Sequence, residues 1–103
     1  MQRFTDVRGR SIRLTEERLQ HVREAHPEVV APLSLLEETL QRPEQVRRSR
    51  TDPGVELFYR HYETTPVTSK YCCAVVKATS DPFLITLYFT DTIKRGEVLW
   101  RAM

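Results

Sequence analysis

Phe83 to Thr90, Phe-Leu-Ile-Thr-Leu-Tyr-Phe-Thr, constrains the fold more than any other stretch of the chain. Eight residues rich in aromatic and β-branched side chains predict a long strand near the middle of a sheet. Strict alternation puts Phe83, Ile85, Leu87 and Phe89 on an apolar face and Leu84, Thr86, Tyr88 and Thr90 on the other. Two hydroxyls and a phenol on that second face suit an antiparallel sheet covered on one side only, its open side meeting solvent or a ligand.

The neighbouring segments supply the rest of an α+β domain. Arg3 to Leu14 reads as a short amino-terminal hairpin turning at Arg8-Gly9, where Gly9 admits positive φ. Thr15 is suited to cap a helix from Glu16 to Ala25, with Glu16 and Glu17 opposing the dipole and Leu14 and Leu19 spaced as a staple. His26 ends it, because Pro27 disfavours helical backbone in its predecessor. A second helix from Pro32 to Gln41 carries Leu33, Leu36 and Leu40 at helical spacing, with Leu35 widening the stripe. Gln45 to Arg50 reads as an edge strand, then Val55 to Tyr62 and Lys70 to Ala78 as strands. The turns Thr51-Asp52-Pro53-Gly54 and Thr79-Ser80-Asp81-Pro82 separate them from their neighbours. Consecutive strands with short connections favour an antiparallel meander with the helices on one face. Val98, Leu99 and Trp100 need burial, as a last strand or as a terminal turn.

A chain of 103 residues, 40% hydrophobic and 29% charged, has material for one domain, residues 1–103, with a single core. Net charge is +2, yet thirteen of the sixteen basic residues are Arg, whose planar fork pairs with phosphate; an arginine-rich composition alone gives the same count. Adjacent Cys72 and Cys73 point to opposite faces of a strand, which disfavours a disulfide between them and fits a reducing cytoplasm. Met1 to Arg10 lacks the apolar segment of a secretion signal, and no apolar run approaches the roughly 20 residues that span a bilayer.

No Gly-rich phosphate loop or Gly-x-Ser-x-Gly elbow is present. His21 and His26 would stand about 140° apart on a continuous helix, too far round to share a metal. What remains is His21, His26, His61, several Arg, four Tyr, Lys77 and Thr86. These suffice for RNA cleavage by transesterification: a base for the ribose 2′-hydroxyl, cationic donors for the phosphorane and an acid for the leaving 5′-oxygen, with no metal or other cofactor. DNA lacks the attacking hydroxyl.

His26-Pro27-Glu28 at a helix end, Leu40-Gln41-Arg42-Pro43-Glu44 closing a second helix, Phe58-Tyr59-Arg60, Tyr71 to Lys77 and Ile85-Thr86-Leu87-Tyr88 resemble the phage-associated barnase/EndoU/colicin/RelE-like nucleases. The resemblance spans Leu14 to Thr90. It implies two amino-terminal helices on one face of a four-stranded antiparallel sheet, and a metal-independent endoribonuclease, often a toxin or prophage-encoded effector. RNA is then the substrate and an antitoxin or immunity protein a partner. Carried over residue by residue, His26 is the general base or acid, Lys77 and Arg60 stabilise the phosphorane, and Thr86 donates to phosphate. Arg47, Arg48 and Arg50, the densest positive cluster, would guide the nucleic-acid backbone and Tyr88 would stack a base.

Each assignment has a plainer counterpart. His26 equally serves as a C-terminal helix cap, Thr86 as β-branched filler, and the Arg cluster as protection of a sheet edge. A non-catalytic RNA-binding or protein-interaction module of the same fold fits the same residues. So does an assembly protein that pairs an exposed strand with its own copy, so monomer and homodimer are both open.

Overall fold

The computed structural model describes all 103 residues. The chain opens with β1 (Gln2–Thr5) and β2 (Ser11–Leu14), a hairpin whose turn holds Gly9 at φ 81°. In α1 (Glu16–Ala25), the Thr15 hydroxyl accepts from the Arg18 N–H at 3.2 Å, and Leu19 and Val22 are buried. The helix stops at His26, whose backbone N–H still reaches Val22 O while its φ of −133° leaves the helical region. In α2 (Pro32–Gln41), Ala31 occupies the N-cap in the left-handed region with no side-chain cap. Pro32, at the start of the helix, has no N–H needing a partner.

Four further strands, β3 (Gln45–Arg48), β4 (Val55–Tyr62), β5 (Lys70–Lys77) and β6 (Phe83–Thr90), follow in a meander. A last strand, β7 (Val98–Arg101), completes one sheet of order β1-β2-β6-β5-β4-β3-β7. The expected four-stranded antiparallel sheet is therefore corrected to a seven-stranded mixed sheet curled as a half-barrel. Two additions make the difference. The hairpin joins through a parallel contact of β2 with β6, limited to Arg13 opposite Phe83 and an Arg13 N–H to Pro82 O bond of 2.9 Å. The tail pairs with β3 as β7, so β3 is not an edge, and Leu99 and Trp100 pack against the main core. Both additions satisfy backbone groups that a bare four-stranded sheet would leave on its edges.

The helices cover one face of the sheet, where Leu19, Val22, Leu36 and Leu40 meet Ile12, Val46, Phe58, Ala74, Val76, Leu84 and Leu87. The opposite face has its own smaller cluster of Val55, Leu57, Tyr59 and Cys73, with Tyr71, Val75, Ile85, Tyr88 and Ile93 around it. A strap, residues 92–97, runs over this second face. Its Lys94 N–H donates to the Tyr59 hydroxyl at 3.1 Å, and its Glu97 carbonyl accepts from the Arg48 N–H at 2.8 Å. Gly96 lies so close to β3 that a Cβ there would sit 2.1 Å from the Arg48 carbonyl oxygen.

The alternation expected along Phe83 to Thr90 breaks at a β-bulge. Val76 pairs with Leu84 and Val75 with Thr86, which leaves Ile85 as the extra residue. Leu84 and Leu87 consequently share the helix-covered face, and Ile85 and Tyr88 the strap face. The even-odd division of this strand thus changes parity halfway along. At the far end, Glu56 on β4 and Asp6 in the hairpin turn are both buried. Arg10 bridges them, with 2.6 Å to Glu56 and 2.8 Å to Asp6, and Arg8 adds a second contact to Glu56.

Candidate functional site

His26 stands where α1 gives way to a loop, beside the part of β6 that β2 leaves unpaired. Its Nδ1 lies 3.4 Å from Glu28 Oε1, its ring is tilted 30° against Tyr88 with centroids 5.7 Å apart, and 29% of its side chain is exposed. His21 approaches edge-on, with ring centroids 6.3 Å apart. The angular separation of a continuous helix does not apply, because the chain leaves helical geometry at His26 and brings the second imidazole back towards the first. The 140° argument against a shared metal assumed a continuous helix, and the helix-stopping Pro27 is the signal that the wheel ends before His26.

Apart from Tyr88, the other nominated residues do not gather round His26. Thr86 lies on the strap face opposite Val75, with its Oγ1 buried and without a hydrogen-bond partner. Lys77 faces the same way but is bound to Asp52 at 2.9 Å, and that bond, aided by the Gly54 N–H, lowers the pKa of Asp52. Arg60 pairs with Cys72 across the strands and so points to the helix-covered face. There its Nη1 donates to the Arg42 carbonyl at 2.7 Å and its Nε lies 3.4 Å from Glu38, beside the Tyr62 ring. Lys77 and Arg60 are thus on opposite sides of the sheet, each with a carboxylate partner.

The arginine cluster is divided in the same way. Arg47 faces the strap side, donating to Gln45 at 2.6 Å and to the Lys94 carbonyl at 3.4 Å. Arg48 turns the other way in register with Glu56 and is held by Glu97 and the Pro53 carbonyl, each at 3.0 Å. Arg50 is exposed in the following turn.

Tyr88, nominated for base stacking, lies against the His26 ring and belongs to a row that register defines across five strands: Tyr88, Cys73, Tyr59, Gln45, Arg101. At about 4.8 Å per strand the row spans ~19 Å. Burial pushes the Tyr88 phenol up and the Tyr59 phenol up to about 12, so both remain neutral donors at neutral pH. Burial also pushes Cys73 up to about 12 and Cys72 up to about 11, which makes neither thiol a nucleophile. Beside the row, Tyr71 meets Tyr59 edge-on at 6.3 Å and His61 at 5.0 Å.

A shallow hollow of about 260 Å³ lies elsewhere, along the outer side of α2 between Ser34, Glu37, Glu38, Gln41 and Arg42. Its two carboxylates oppose a polyanion, so chemistry favours the imidazole pair over this hollow. No three His, Cys, Asp or Glu side chains converge as metal ligands, and no helix is long and apolar enough to cross a membrane. Comparison with family models, curated proteins and solved structures returned no match.

Proposed function

We propose that this chain is a metal-independent endoribonuclease whose acid–base pair is His26 and His21. The observation carrying the reading is the pair itself: two imidazoles with centroids 6.3 Å apart, one of them with a carboxylate oxygen 3.4 Å from its Nδ1. Glu28 Oε1 stands 3.4 Å from His26 Nδ1, on the side away from the proposed substrate, which leaves Nε2 for the reaction. His26 Nε2 then takes the proton of a ribose 2′-hydroxyl as that oxygen attacks the adjacent phosphorus. Protonated His21 gives a proton to the departing 5′-oxygen. The products are a 2′,3′-cyclic phosphate and a 5′-hydroxyl, with no other reactant consumed. Tyr88, against His26, offers a face for the base next to the cut.

Lys77 and Arg60, each engaged elsewhere, take no part in this scheme, so imidazolium charge carries the phosphorane stabilisation. Two buried free thiols fit a reducing compartment such as the cytoplasm. An RNase made there needs restraint, and an antitoxin or immunity protein belongs to this reading, as the nuclease resemblance implies. The test is incubation of the purified protein with tRNA and mixed RNAs in EDTA. Expected are cyclic-phosphate ends, a bell-shaped pH profile, and a loss of about 10²-fold or more in His26→Ala and in His21→Ala. Intact RNA with the wild type, or equal cutting by His26→Ala, overturns the reading. The engagement of Lys77 and Arg60 favours a second one, an RNA-binding module without chemistry, which the same assay separates by binding without cleavage.

A further inference from the structure

We infer that the substrate is single-stranded RNA lying across the strap face, from the histidine pair over Tyr88 to the strap, where Lys94 and Arg95 take its phosphates. The inference rests on the endoribonuclease reading for the cut itself, but the track has its own support. The cross-strand row that starts at Tyr88 ends at Arg101 on β7, and the strap crosses it at Tyr59 through the Lys94 N–H. Near the strap, Asp91 is matched by Lys70 and Glu97 by Arg48, while the Glu44 carboxylate accepts from the His61 N–H. Lys94, Arg95 and Arg101 are exposed and have no carboxylate partner, and Arg47 lies beneath the strap against the Lys94 carbonyl. Aromatic faces at one end and unmatched cations at the other are what a single strand uses, with bases on rings and phosphates on charges. A duplex keeps its bases stacked inside and cannot use the Tyr88–His26 end.

Binding is measured by fluorescence anisotropy with a 2′-O-methyl single strand, which cannot be cut, over a salt series. Lys94→Ala/Arg95→Ala should lower the slope of log K against log salt by about 1.4, from ~0.7 per cation removed. Arg3→Ala, at the opposite edge of the sheet, should leave the slope unchanged. On cleavable RNA the double variant should raise KM and keep kcat. Both substituted side chains are exposed, and an unchanged thermal midpoint confirms that folding is intact. A slope unmoved in the double variant, or equal affinity for a duplex of the same sequence, overturns the track. Cleavage that persists beside an unmoved slope leaves the enzyme standing and removes the track. A slope that falls as expected in a protein that cuts nothing keeps the track and removes the enzyme.

Discussion

At the scale of single residues, surroundings decide more than identity. Glu28 is a positioning residue in the proposed scheme, so Glu28→Gln should lower kcat about tenfold and leave KM in place. Steady-state kinetics beside a thermal melt would check this, since a merely structural loss would lower the thermal midpoint along with the activity. Gly96 must remain glycine because its neighbour is backbone rather than a movable side chain. Gly96→Ala is expected to cost about 2–3 kcal/mol in urea unfolding. The Tyr59 phenol, raised from 10.0 to about 12 by burial, favours folding fully below pH 10 and loses that contribution as pH rises through 12. Tyrosinate absorbance and loss of circular dichroism should therefore appear together over that interval. His21, His26 and Tyr88 were legible as candidates, whereas the strap over Tyr59 was not, because Lys94 comes from a distant part of the chain.

Among the elements, local chemistry sufficed for both helices and for every long strand. The Thr15 cap, the break at His26-Pro27, the turn at Gly9 and the loops around Pro53 and Pro82 act within a few residues, so their signals survive in sequence. Thr15→Ala should reduce stability by about 1 kcal/mol in chemical denaturation. The bulge was not legible. Ile85 is as suitable a strand residue as its neighbours, and only pairing with Val75 and Val76 makes it the extra one. One inserted residue exchanges the faces of everything before it, which is how Leu84 joins the core that Leu87 also occupies. The Asp6–Arg10–Glu56 contact was equally hidden, because Glu56 lies 46 residues from Arg10. Glu56→Gln should cost about 2 kcal/mol, less than a fully buried pair would, since Arg10 keeps partial access to water.

For the whole molecule, the tail is the element whose removal should matter most. Without residues 98–103, β3 becomes a free edge and the core loses Leu99 and Trp100. The truncated protein should melt several degrees lower and scatter light in a concentration-dependent way, a comparison that calorimetry and light scattering make directly. Sequence by itself determined the helices, the turns, the long strands and the histidine at the helix end, because caps, prolines and residue periodicity work over distances shorter than one element. Tertiary structure alone decided that seven strands share one sheet and that Lys77 and Arg60 part to opposite faces. Those outcomes depend on which edge finds which partner and on the face each register exposes, and such pairings are made between segments that carry no local mark of one another.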